Sequence, residues 1–143
     1  MQIALREART AAARGEVPVG AVVSDATGRV LARAGNRVEE LRDPTAHAEM
    51  LALREAARLL GDKLLEGCTL TVTLEPCAMC AQAASHARIG RVVFGAYDPK
   101  SGGVEHGARV FSHAQAHHKP EVVGGVNEAE CAGVLRDFFA ALR

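Results

Sequence analysis

The chain has 143 residues, 48% of them apolar, with 17 basic and 17 acidic side chains and four cysteines. That length predicts a single domain over residues 1–143 with a core of its own. A formal charge of zero argues against holding long nucleic acid by bulk charge, and four irregularly spaced cysteines argue against a disulfide scaffold. No apolar run reaches the ~18 residues of a membrane span, and no signal-peptide core follows Arg6, Glu7 and Arg9. The expectation is a reducing, cytoplasmic setting with no membrane partner, which suits thiolate metal ligands.

In chain order, the Ala-rich segment 1–14 reads as a helix that Gly15 ends. Residues 18–23, apolar and β-branched, read as a strand. The Ser-Asp-Ala-Thr-Gly turn at 24–28 and a second strand at 29–35 complete a hairpin. Pro44 leads into a helix with Thr45 as its N-cap, running to Leu60 and stopped by Gly61. Residues 69–74 are strongly strand-like, Glu75-Pro76 ends that strand, and a helix begins near Cys77. The next strand covers 91–94, a long loop with at most a short helix covers 98–120, and a fifth strand covers 121–123. Asn127 caps a last helix that contains Phe138 and Phe139. Strands alternating with helices predict a layered α/β domain around a central mixed sheet.

Two short motifs carry the chemistry: Thr-Ala-His-Ala-Glu at 45–49 and Glu-Pro-Cys-Ala-Met-Cys at 75–80. Cys77 and Cys80, three apart, share one face of a helix in its first turn, where free N–H groups and the helix dipole favour thiolates. His47 is expected in the first turn of its own helix. If the two helix N-termini face one another, His47, Cys77 and Cys80 can hold a tetrahedral zinc with an open fourth position. Glu49 lies about 200° round a helix from His47, which makes it a poor co-ligand. It could still reach the open position from the other side and move protons there.

Each motif alone has an ordinary reading. His-x-Glu can be plain helix surface, and a CxxC after a strand can be a redox dithiol, although no aromatic precedes this one. A structural zinc ribbon needs a second CxxC, which Cys68 and Cys131 cannot form, and these two read as buried small hydrophobes. Phe138 and Phe139 read as core. Residues 86–119 gather Arg88, Arg91, Lys100, Arg109, Lys119 and five of the six histidines, either a local basic face or an ordinary solvated surface.

His-x-Glu followed about 30 residues later by Pro-Cys-x-x-Cys is the zinc deaminase signature. Beyond it, residues 16–23 (Glu-Val-Pro-Val-Gly-Ala-Val-Val), 35–37 (Gly-Asn-Arg), 43–49, 73–80, 88–98 and the closing Asp137-Phe138-Phe139 resemble the bacterial tRNA-specific adenosine deaminases over nearly the whole chain. The resemblance implies the cytidine-deaminase fold, a three-layer αβα sandwich over a central five-stranded mixed sheet, and a homodimer. It implies hydrolytic conversion of adenosine to inosine at the wobble position of a tRNA anticodon, by zinc-bound hydroxide, with the anticodon stem-loop as partner. By this resemblance His47, Cys77 and Cys80 hold zinc and Glu49 shuttles protons. Asn36 hydrogen-bonds the purine, and the backbone N–H of Ala48 lies near the attacked carbon. Pro18 and Val19 pack near the base, and Asp98 matches an acidic position near the neighbouring nucleotides, with Lys100 beside it. Read alone, Asn36 and Asp98 also fit plain turn positions. Two features depart from the family's pattern: the sequence stops at Arg143 without a basic tail, and the loop 102–109 (Gly-Gly-Val-Glu-His-Gly-Ala-Arg) is not the Gly/Ser-rich loop of some members. They leave a zinc deaminase of free bases or nucleosides, of guanine or cytosine type, as the alternative, and a non-enzymatic zinc or dithiol module as the third reading.

Overall fold

A computed structural model describes all 143 residues. The elements are α1 (Gln2–Ala13), β1 (Gly20–Ser24), β2 (Val30–Gly35), α2 (Val38–Leu41), α3 (Ala48–Leu60), β3 (Thr69–Leu74), α4 (Ala78–His86), β4 (Arg91–Ala96), a 3-10 turn (Val110–Ser112), β5 (Glu121–Val123) and α5 (Glu128–Ala141). The five strands form one sheet in the order β2-β1-β3-β4-β5. β1 is antiparallel to both β2 and β3, while β3, β4 and β5 are parallel. The sheet is therefore the mixed one that the resemblance implies.

Two helical layers cover it. α1 packs on β1 and β2 and touches α5, which lies on β4. α3 packs on β2 and β1 and touches α4. The αβα sandwich thus has α1 and α5 on one face and α3 and α4 on the other. The central strands bury Val72, Val92 and Phe94, as parallel strands with covered faces do.

Local chemistry explains most element boundaries. α1 buries Ala4, Leu5, Ala8 and Ala11, the spacing of one helical face. The three alanines let α1 lie almost on the sheet. A Cβ added at Gly20 would overlap the carbonyl oxygen of Ala4, and one at Gly35 would sit 2.7 Å from the carbonyl oxygen of Glu7. The β1–β2 turn is held by Asp25, whose Oδ1 accepts from the Thr27 N–H (2.9 Å), the Thr27 hydroxyl (2.6 Å) and the Arg29 N–H (3.0 Å). α3 stops at Gly61 in the left-handed conformation (φ 66°).

Four expectations change. Thr45 does not cap α3: its N–H and hydroxyl both go to Asp43 Oδ1, at 2.8 and 2.7 Å. The N-cap position belongs to His47, in an extended conformation, and Cys77 occupies the same position on α4. Asn127 precedes α5 but has left-handed φ (54°) and makes no side-chain cap bond. The short helix α2 is absent from the sequence reading. It is capped from a distance by buried Glu16, whose carboxylate accepts from the N–H groups of Glu39 (2.9 Å) and Glu40 (3.0 Å). Cys68 and Cys131 are buried free thiols, as expected.

Replacing Gly20 by Ala should destabilise the fold by about 3 kcal/mol, because backbone rather than a pliable side chain meets the new methyl. Urea unfolding measures this, and a change below about 1 kcal/mol would show that α1 can move off the sheet.

Candidate active site

β1 runs antiparallel to β2 and to β3, so β2 and β3 point the same way and end on the same side of the sheet. β4 is parallel to β3 and ends there too. Asn36 follows β2, Glu75 follows β3 and Asp98 lies just past β4. α3 and α4 start from this same end, which brings His47 and Cys77 together.

His47 Nδ1 is 3.6 Å from Cys77 Sγ and 3.6 Å from Cys80 Sγ. All three donor atoms lie within 4.8 Å of one another. Tetrahedral zinc with Zn–N of ~2.05 Å and Zn–S of ~2.3 Å requires an N···S separation of about 3.6 Å. The donors already stand at that spacing, and two sulfurs with one imidazole are a set that zinc favours. Without an ion the same cluster shares protons. Cys77 is pulled down to about 4 by the Cys80 thiol that donates to it and by His47. Donation to Cys77 and burial push Cys80 up, and the bond to Cys77 raises His47. A divalent cation takes over the role of those protons.

Glu49 sits in the first turn of α3 and is only 4% exposed. Its Oε2 is buried with no hydrogen-bond partner. Burial raises its carboxyl to about 7. An orphaned buried acceptor is rare, and this one stands beside a three-donor cluster that leaves a tetrahedral position open. The expected 200° offset from His47 does not apply, because His47 is the N-cap residue and its backbone is extended rather than helical.

His47, Glu49 and Cys77 line a cavity of about 510 Å³, within the range of small-molecule sites. Val19, Asn36, Leu74, Asp98 and Ser101 also line it. Asn36 is held firmly. Its Oδ1 accepts from the Ala48 N–H (2.8 Å), its Nδ2 donates to the Val17 carbonyl (3.1 Å), and its own carbonyl accepts from Arg14 (3.0 Å). One amide hydrogen of Asn36 stays uncommitted.

The structure separates the other expected contacts. Val19 and Asp98 face the cavity. Pro18 is fully buried in the interior, so only Val19 of that pair lines it. Lys100 is exposed and does not line it, and its N–H is tied to Asp98 Oδ1 at 3.2 Å. Ala48 is fully buried and its N–H is committed to Asn36. Phe138 and Phe139 are not core: they line the cavity mouth with Leu142, and Phe139 is 44% exposed. No Lys or Arg lines the cavity, whereas Glu16, Glu39, Glu49, Glu75 and Asp98 do. The basic side chains of 86–119 are elsewhere, Arg91 on Glu121 (3.0 Å) and Arg88 near Glu66 (3.8 Å). Glu16 and Glu75 open two of the quoted motifs, 16–23 and 75–80, yet nothing in those motifs gives either side chain a role.

Residues 1–96 match the model of the cytidine and deoxycytidylate deaminase zinc-binding region. All of the chain aligns with the tRNA-specific adenosine deaminase of Agrobacterium fabrum (strain C58), 54% identical and covering 93% of that protein. The corresponding Bacillus subtilis (strain 168) deaminase is 48% identical, with 88% of it covered. A solved structure from work on A-to-I editing by tRNA:A34 deaminases at the wobble position of transfer RNA matches with a TM-score of 0.92 and 54% identity, covering 94% of this chain and 97% of that one. Fold and site together define a zinc-dependent hydrolytic deaminase. Within that class, the chain belongs to the family of bacterial tRNA-specific adenosine deaminases.

The purified protein should carry about one zinc per chain, and Cys77→Ala or Cys80→Ala should each cut this below about a tenth, because two protein donors do not retain zinc against dialysis. Mass-spectrometric metal analysis checks this. Full zinc in both variants would place the ion elsewhere.

Proposed function

We propose that this protein hydrolyses adenosine to inosine at the wobble position of a tRNA anticodon, with the anticodon stem-loop as its substrate. The observation that carries the reaction type is the Glu49 carboxylate, buried and unpartnered on one oxygen, beside His47, Cys77 and Cys80. The substrate assignment is supported by full-length relatives named for that activity.

In this reading His47, Cys77 and Cys80 hold zinc. The ion, when bound, supplies the Lewis acidity that brings the pKa of a water towards ~7. Glu49 accepts a proton from the attacking water and returns one to the amine leaving carbon 6 of adenine, so that water is consumed and ammonia released. Asn36, braced by Ala48, Val17 and Arg14, offers its remaining amide hydrogen to an acceptor on the purine. Val19 and Leu74 supply apolar contact, and Phe138 and Phe139 border the mouth, where an unstacked base can pack. The carboxylates around the cavity repel phosphate and admit the uncharged base. The RNA backbone then lies outside, where Lys100 is exposed beside Asp98.

The remaining parts of the reading are one domain over 1–143, a homodimer and a cytoplasmic setting. The single sheet supports the first. Exposed Leu59 and Leu60 at the end of α3, 48% and 47% exposed, are apolar surface that a second copy would cover. No helix is long and apolar enough to cross a membrane.

Two measurements test the proposal. The wild-type protein should form inosine in an anticodon stem-loop far faster than it turns over free adenosine, guanine or cytosine. Glu49→Gln should keep zinc and lose about 100- to 10,000-fold in turnover. Activity on free bases alone would overturn the substrate, and near-normal turnover of Glu49→Gln would remove Glu49 from the mechanism.

A further inference from the structure

We propose that Glu75 and His106 are positioning residues that hang the loop from Asp98 to His106 at the rim of the cavity, and so set how the RNA is held rather than how fast it reacts. The inference rests on the RNA reading above. The Glu75 side chain is fully buried, and no Lys or Arg pairs with it. Instead the loop folds around its carboxylate. Oε1 accepts from the Asp98 N–H (3.1 Å) and faces His106 Nδ1 (2.8 Å). Oε2 accepts from the N–H groups of Val104 (3.2 Å), Glu105 (2.9 Å) and His106 (3.1 Å). Successive backbone N–H groups converging on one oxygen form an anion nest, here filled by the protein's own carboxylate.

The approach is as close as backbone allows. A Cβ on Gly102 would overlap Glu75 Oε2, and one on Gly103 would sit 2.5 Å from the Ala78 nitrogen at the start of α4. The Gly103 N–H bonds the Pro76 carbonyl at 2.8 Å. The loop is therefore pinned to the segment that carries Cys77, and its Asp98 and Ser101 face the cavity. Glu75 lies 23 to 31 residues from these partners in sequence, and it is the side chain on which most of the loop's bonds converge. His106 is the only side chain that completes the shell, and it is partly exposed (33%), with its ring against the edge of Tyr97. Neither residue belongs to the three-donor cluster or supplies the proton carrier. Losing the His106 imidazole loosens the loop that carries Asp98 and Ser101, while the Glu75 carboxylate still holds it through backbone N–H groups.

The test compares His106→Ala, His106→Asn and Glu75→Gln with wild type by amide hydrogen exchange of the ligand-free protein, zinc content, and kcat and KM on an anticodon stem-loop. His106→Ala should speed exchange at 98–106 and raise KM, each by about tenfold, the effect of one hydrogen bond to a charged group. Its kcat should fall by less than about twofold, with zinc unchanged. His106→Asn, which restores an N–H donor near the position of Nδ1, should recover most of both effects. Glu75→Gln puts an amide among N–H donors and should act in the same direction but more strongly. If it does not fold, the His106 pair decides the matter. Unchanged exchange in His106→Ala, a loss confined to kcat, or no recovery with Asn overturns the proposal. A wild-type protein inactive on the stem-loop would instead refute the RNA reading, while the exchange data would still decide whether the carboxylate holds the loop.

Discussion

The site depends on one topological constraint: β1 is antiparallel to both of its neighbours, so β2 and β3 finish at the same end of the sheet. α3, reached from β2 through the short α2, and α4, which follows β3, both start at that end. Their N-cap residues are His47 and Cys77, and a helix N-terminus is where N–H groups and the dipole stabilise negative sulfur. The packing of the two helix starts places the donors at a spacing that fits tetrahedral zinc. The close fit of α1 on Gly20 and Gly35 fixes the other face of the same strands.

The same end of the sheet gathers the rest of the site. Asn36, Glu75 and Asp98 each follow a strand that ends there, the usual place for ligands in open α/β sheets. Three buried carboxylates then play three parts. Glu16 caps α2 and so steadies the stretch that links Asn36 to His47. Glu75 holds the rim loop. Glu49 alone keeps an oxygen without a partner, which is the ground for proposing it as the proton carrier. A fully bonded carboxylate is fixed in place, whereas burial without a full set of donors disfavours the charged form.

Much of this was legible in the sequence. The metal cluster was readable because zinc chemistry demands particular residue types at particular spacings, and the β1–β2 turn because Asp25 and Gly28 are turn chemistry. Pro44-Thr45 misled because residues 43–46 form a turn around Asp43, so the helix starts later, with His47 rather than Thr45 at the N-cap position. The roles of Glu16 and Glu75 were invisible because, His106 apart, their partners are backbone N–H groups 23 to 31 residues away, and an N–H carries no residue identity. Phe138 and Phe139 have the apolar pattern of core, yet α5 turns them towards the cavity that His47 and Glu49 also line. Local propensity could not tell those two surfaces apart.

The central claim is that three protein donors hold zinc and leave its fourth position to water, with Glu49 beside it but unbound. X-ray absorption at the zinc edge of the purified protein measures that shell directly. Two sulfurs at about 2.3 Å, one imidazole nitrogen and one further light atom at about 2.0–2.1 Å are expected, with the spectrum unchanged in ligand number and type when Glu49 is replaced by Gln. Loss of the light-atom ligand in that variant would make Glu49 the fourth protein donor, close the site and contradict the account.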